Sequence, residues 1–221
     1  MKKKVLILGS EGQIGNALKQ YLSKKNDVLE YDILNTPLED LRIKNQRIER
    51  MVKKSNFIFF LAFDVGGSRY LTRNQKKYNF IENNSLIMLN VFSLIKKYKK
   101  KFIFASSQMS NLTHSNYGVL KKVGEGFTES LGGIVVKFWN VYGIEKERKK
   151  SHVITDFIIK AKKNRKIDML TNGFEKRDFL YSKDCCAGLE LIMDNYTTFK
   201  KEKEIHLTTT KYTSIFEIAK I

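Results

Sequence analysis

Short, almost wholly apolar runs recur along the chain at 4–8, 56–61, 102–105 and 134–138, and stretches of helical periodicity separate them. A run of four to six apolar residues without polar alternation fits a strand buried on both faces. That situation belongs to a parallel sheet covered by helices on each side. A fifth, more polar strand is predicted at 27–33. The helices between the strands are predicted over 12–24 (Ile14, Leu18, Tyr21 and Leu22 at helical spacing), 38–54, 84–98 and 117–131. Strand and helix in strict alternation specify an α/β fold with crossover connections. After residue 145 the pattern loosens. A helix is predicted over 153–162, a short strand over 167–170, a helix over 184–193 and a strand over 204–207. Ser214, with Glu217 three positions on, reads as the capping box of a last helix.

Gly9, Gly12 and Gly15 sit between the first strand and the first helix. One glycine lets the chain turn tightly, another lets backbone approach a pyrophosphate, and the last lets the helix pack on the sheet. The helix N-terminus then presents free N–H groups to phosphate. Asp32 closes the second strand, where a carboxylate holds the adenosine ribose hydroxyls and repels a 2′-phosphate. The expectation is a Rossmann-type doubly wound parallel sheet binding NAD in preference to NADP. Residues 1–145 form the dinucleotide-binding part. Residues 146–221, where the pattern loosens, are expected to form a small C-terminal lobe partly interleaved with the core.

Composition adds mainly exclusions. The net charge of +18 comes from 41 Lys and Arg against 23 Asp and Glu. The excess is mostly lysine, spread along the chain, and tight runs such as Lys99-Lys100-Lys101 fall where a helix ends and complement its dipole. It reads as a compositional bias, and no nucleic-acid partner is expected. No apolar run reaches the roughly 18 residues of a membrane helix, and residues 5–8 are too short for a signal-peptide core. A cytoplasmic protein away from membranes is expected. Cys185 and Cys186 are adjacent and match no metal-ligand spacing, so they read as buried free thiols, and no metal site is expected.

Tyr117 and Lys121 lie four apart, on one face of a predicted helix. Oxidising an alcohol requires a base for the hydroxyl proton, and a nearby ammonium favours the phenolate that can serve as one. In chain order the motifs are Gly9 to Gly15, Asp32, Phe60-Leu61-Ala62, Gly66-Gly67, Asn84, Ala105-Ser106-Ser107 and the Tyr117/Lys121 pair. Phe138-Trp139-Asn140-Val141-Tyr142-Gly143 and Arg177-Asp178-Phe179-Leu180-Tyr181 with Asp184 follow. Together they resemble the extended short-chain dehydrogenase/reductases, in the NAD-dependent epimerase/dehydratase branch, over nearly the whole chain.

The resemblance implies roles. Ser107, Tyr117 and Lys121 would be catalytic, with Asn84 a structural fourth member. Gly9, Gly12, Gln13, Ile14, Gly15, Asp32, Asp40, Leu41, Leu61, Ala62, Asn84, Tyr117, Lys121 and Phe138 would contact NAD. Ser107, Asn140 and Arg177 would hold a nucleotide-diphosphate sugar, with Arg177 on its diphosphate, and the lobe at 146–221 would be the substrate-binding part. The implied reaction is epimerisation through transient C4 oxidation, in a homodimer formed through the helices at 84–98 and 117–131. A one-way 4-keto reductase or C4 dehydrogenase would use the same site, and a non-catalytic dinucleotide-binding regulator is a further alternative.

The chain also departs from the family pattern. Tyr117 follows Ser107 by ten positions, a shorter loop than is usual. Gln108-Met109 stand where the 4,6-dehydratases carry an Asp-Glu pair, so dehydration lacks its proton donor. His114 is a loop histidine that reads as solvated, and His152 and His206 read as structural. Relatives of this kind continue for several dozen residues past the strand at 204–207.

Overall fold

In the computed structural model, which describes residues 2–221, the predicted alternation becomes a six-stranded parallel sheet. The first half runs β1 (Lys4–Leu8), α1 (Gln13–Leu22), β2 (Asp27–Tyr31), α2 (Gln46–Lys54) and β3 (Phe57–Phe60). Next come α3 (Ser68–Asn74), α4 (Tyr78–Tyr98), β4 (Lys101–Ser107), α5 (Asn116–Ser130) and β5 (Ile134–Phe138). The second half adds β6 (Asn140–Tyr142), α6 (Val153–Asn164), β7 (Lys176–Tyr181) and α7 (Ser182–Asp194). It ends with α8 (Tyr196–Phe199), β8 (Ile205–Leu207), β9 (Tyr212–Ser214) and α9 (Ile215–Lys220).

The main sheet has the order β2-β1-β3-β4-β5-β8, with every pair parallel. The order reverses between β1 and β3, which makes the carboxyl ends of those strands the place for a ligand crevice. Side chains alternate between two cores. Val5, Ile7, Phe57, Phe59 and Ile103 pack with Leu18 and Leu22 of α1 and with Cys185, Cys186 and Leu189 of α7. Leu6, Leu8, Ile58, Phe60, Phe102 and Phe104 pack with Ile48 and Val52 of α2 and with Met88, Val91 and Phe92 of α4. This alternation explains why the strands are apolar throughout: each face is covered. Cys185 and Cys186 are buried free thiols.

A second sheet of three strands, β6-β7-β9, stands beside the main one. Both sheets draw strands from either side of residue 145: β6 precedes it, while β8 follows it and closes the main sheet.

Several elements differ from expectation. The helix predicted over 38–54 is helical only from Gln46. Ahead of it Pro37–Glu39 forms a single 3-10 turn, Asp40 accepts from the Arg42 backbone, and the Asn45 side chain caps α2 through the Ile48 N–H. Side chains that accept backbone N–H groups compete with helix here. No strand forms over 167–170; the Asp168 carboxylate is held by Lys160 and Arg69. β2 stops at Tyr31 because the Asp32 carboxylate turns the chain by accepting from the Leu34 N–H. The capping box at Ser214 and Glu217 is present. Among the described residues no helix is long and apolar enough to cross a membrane.

Candidate active site

A cavity of about 620 Å³ opens at the carboxyl ends of β1, β3, β4 and β5. Its floor is the turn from β1 into α1. Gly9 has φ +88°, and a Cβ there would stand 2.7 Å from the Ala62 backbone nitrogen. A Cβ on Gly15 would lie 1.9 Å from the Gly9 carbonyl oxygen. Neither contact can relax, since both partners are backbone, so glycine is the residue that fits each position. Gly12, Gln13 and Ile14 line the same floor. The Gln13 Nε2 is buried in that wall with no protein partner. A donor in that state suits a ligand that brings its own acceptors.

Asp32 lies at one end of the cavity, where it accepts from the Glu11 backbone N–H at 2.9 Å. Glu39 is buried beside it, accepts from the Asp32 N–H and pairs with Arg47. Asp40 and Leu41 also line this end. Arg42 grips the Asp40 carboxylate, and those hydrogen bonds hold it below the usual carboxylate range. Leu61 and Ala62 form the wall after β3.

At the other end Ser107, Tyr117 and Lys121 meet. β4 delivers Ser107 at its last position, and Ser107 also accepts from the Met109 N–H to start a 3-10 turn. Ser115 caps α5 through the Gly118 N–H and so fixes the first turn, which carries Tyr117. The Tyr117 ring meets Phe63 edge-on at 5.8 Å. Burial pushes its phenol up to about 12, opposed by a hydrogen bond with Ser107. Lys121 is 3% exposed; its Nζ donates to the Ala105 carbonyl at 2.6 Å and lies 3.8 Å from the centre of the Phe63 ring. Burial pulls Lys121 down to about 7, and the Glu125 carboxylate opposes that fall. Phe138 and Asn140 complete this end, with the Asn140 amide donating to the Asp178 carbonyl.

Two residues assigned from sequence lie outside the cavity wall. Asn84 is fully buried: its side chain accepts from the Asp64 N–H and donates to the Asp64 and Phe80 carbonyls. Those bonds use it up as a clamp on the loop after β3, so it has no face toward a cofactor. Arg177, on β7, reaches toward the Ser68 hydroxyl and Glu175 instead of the cavity.

Other wall residues carried no recognisable sequence signal. Lys146 and Lys150, from the segment after β6, reach across the mouth to Glu11 and Asp64 respectively. Burial raises Glu11, but its bonds to Lys146 and Lys19 outweigh that and hold it below the usual range. The Glu11–Lys146 pair spans 135 positions, and nothing local links the two. Among the described residues no group of His, Cys, Asp and Glu is arranged to hold a metal ion.

The family model described as the NAD-dependent epimerase/dehydratase family matches residues 5–207. The chain belongs to that family. Among curated members it is 26% identical to a CDP-abequose synthase from Salmonella muenchen, over all of this chain and 80% of that protein. It is 28% identical to a putative UDP-glucose 4-epimerase from Methanocaldococcus jannaschii, over 97% of this chain and 79% of that one. The fold superposes on an epimerase from Methanothermobacter thermautotrophicus with a TM-score of 0.83 at 20% identity, covering 99% of this chain and 75% of that one. A UDP-N-acetylglucosamine 4-epimerase from Methanobrevibacter ruminantium gives 0.78 at 22% identity, covering 100% and 81%. Members of this epimerase/dehydratase family are enzymes, and the fold likeness extends over the whole site region.

Proposed function

We propose that the chain is an NAD-dependent nucleotide-sugar epimerase that works through transient oxidation of the sugar at C4. One observation carries the reading: the Gly9–Gly15 turn and the Ser107, Tyr117 and Lys121 side chains line a single cavity. Residues 1–145 would carry the dinucleotide and residues 146–221 would cover the substrate.

The glycine floor and the orphaned Gln13 donor fit a pyrophosphate. The carboxylates at the end of β2 suit a free ribose 2′-hydroxyl and would repel a phosphate there, which favours NAD over NADP. NAD⁺ supplies the redox chemistry at C4 when bound. Tyr117 takes the 4-hydroxyl proton, Ser107 orients that hydroxyl, and Lys121 places positive charge beside the phenol. Burial, only partly opposed by Ser107 and Glu125, holds Tyr117 near 12 and Lys121 near 7. A phenolate therefore needs added positive charge, which a nicotinamide ring and a protonated Lys121 provide. Asn140 contacts the sugar nucleotide. Arg177 reaches the diphosphate only if its side chain leaves Ser68, while Lys146 and Lys150 already stand at the mouth.

α4 leaves Leu86 and Leu89 exposed, and α5 leaves Val119, Val123 and Phe127 exposed, with Phe127 stacked on the buried Phe92. An apolar face of this kind is covered by a second copy in the proposed homodimer.

A one-way reductase or dehydrogenase remains the second reading, because one relative bears the name of a CDP-sugar synthase and not of an epimerase. The deciding experiment incubates the NAD⁺-loaded protein with UDP-, GDP-, dTDP- and CDP-sugars and follows products by NMR and absorbance at 340 nm. An epimer with no net NADH supports the proposal. Stoichiometric NADH with a 4-keto product, or consumption of added NADH when a 4-keto-sugar nucleotide is supplied in a parallel arm, replaces it with the second reading. No conversion of any sugar rejects both.

A further inference from the structure

Behind the catalytic end lies a charged cluster that the proposed chemistry leaves without a task. Glu125 follows Tyr117 and Lys121 at the same spacing along α5, and it is 1% exposed. One carboxylate oxygen accepts from the Ser106 hydroxyl at 2.6 Å, and the other accepts from Lys122 at 2.8 Å. Lys137, also 1% exposed, sits 3.6 Å from Glu125 and 2.6 Å from Glu204. Ser106 pairs with Lys137 in the β4–β5 ladder and immediately precedes Ser107. Burying a carboxylate is costly unless charge and hydrogen bonds compensate it. Here Ser106, Lys122 and Lys137 compensate it, where the strand of Ser107 lies against the helix of Lys121.

We propose that Glu125 is a positioning residue: its bond to Ser106 fixes the strand end that carries Ser107, and its carboxylate, one helical turn from Lys121, favours the ammonium form beside Tyr117. The proposal rests on Tyr117 acting as base toward a bound dinucleotide. Around Lys121 the charged and titratable groups are few. α5 offers Tyr117 and Glu125, with Lys122 spent on Glu125. The loop after β3 brings Asp64, held by Lys150 and Tyr70. β5 brings Lys137, held by Glu204. The buried side chains of α4 are Phe80, Asn84, Met88, Val91, Phe92 and Ile95, none of them charged. Glu125 is therefore the carboxylate closest in helical register to Lys121, one turn along the same face.

The test reads the phenolate of Tyr117 in the NAD⁺ complex, as the ultraviolet difference between each variant and its own Tyr117→Phe partner across pH. Glu125→Gln removes the charge in the same volume and is expected to raise the midpoint by about one pH unit, a ten-fold loss of phenolate below it. Glu125→Asp keeps the charge and is expected to restore most of that shift. Ser106→Ala removes the hydroxyl that ties Glu125 to the strand end, leaving the carboxylate with Lys122 and Lys137, and is expected to raise the midpoint by roughly a third of a unit. A purely structural Glu125 would alter stability and leave every midpoint in place; a Glu125→Gln midpoint equal to wild type overturns the proposal. If Glu125→Gln does not fold, an unmoved Ser106→Ala midpoint overturns it. A wild-type NAD⁺ complex in which Tyr117 titrates no lower than free tyrosine instead defeats the proposed function on which this rests.

Discussion

Replacing Lys121 by methionine should make the cofactor-free protein more stable while abolishing its chemistry. Lys121 is 3% exposed and titrates at about 7, against an ordinary value of 10.5. Below pH 7 both the folded and the unfolded chain carry the proton, and the folded state bears the full penalty of the buried charge, about 5 kcal/mol. Between pH 7 and 10.5 the unfolded chain binds more protons, so wild-type stability rises with pH, and above 10.5 the penalty is gone. The Phe63 face, 3.8 Å from Nζ, returns about 2 kcal/mol, and the bond to the Ala105 carbonyl about 1. Methionine keeps the apolar stem and gives up both, so a gain of about 2 kcal/mol is left at pH 6. In a domain of this size that is a rise in Tm of roughly 4–8 °C. Urea unfolding of both proteins without cofactor at pH 6, 8 and 10 measures it, and the advantage of the variant should shrink as pH rises. A Lys121→Met protein less stable than wild type at pH 6 would refute the reasoning, because burial of the charge would then cost nothing.

Three further outcomes are expected. Gly9→Ala forces a side chain into φ +88° and against the Ala62 backbone, which should cost about 2–5 kcal/mol in urea unfolding and remove NAD⁺ binding by calorimetry; a loss under 1 kcal/mol with binding intact would contradict the cradle. Asp32→Asn should lower the preference for NAD⁺ over NADP⁺ at least ten-fold in paired titrations, since it removes a charge from the end of the cavity proposed to take the ribose; an unchanged ratio would show that discrimination lies elsewhere. Leu89→Glu and Val123→Glu, each on an exposed apolar face, should shift the protein to monomer in sedimentation; if wild type is already monomeric, the dimer proposal falls.

The legible parts of the fold were those written in local pattern. β1, β3 and β4 are apolar on both faces because both faces are covered, and the run itself says so. The glycine turn was legible because backbone crowding at Gly9 and Gly15 leaves no other residue possible. The pieces missed are those whose reason lies far off in the chain. β6 and β9 have three residues each, and β7, though six residues long, forms with them by pairing across long separations, as Arg177 does with Thr213. The segment before α2 looked helical by composition, yet Asp40 and Asn45 turn their side chains onto its backbone. Motif resemblance placed Asn84 and Arg177 at the ligand, whereas Asn84 is consumed by the Asp64 loop and Arg177 by Ser68 and Glu175. Glu11 and Lys146 pair across 135 positions, which no local pattern announces.

Rapid mixing of the NAD⁺-loaded protein with a sugar nucleotide it converts, followed at 340 nm, reaches the core of the proposal. Wild type should show a transient rise and decay of reduced cofactor within a turnover, and Tyr117→Phe should show none. A Tyr117→Phe protein that reduces its cofactor as fast as wild type, or epimerisation that proceeds after the dinucleotide is stripped, would contradict it.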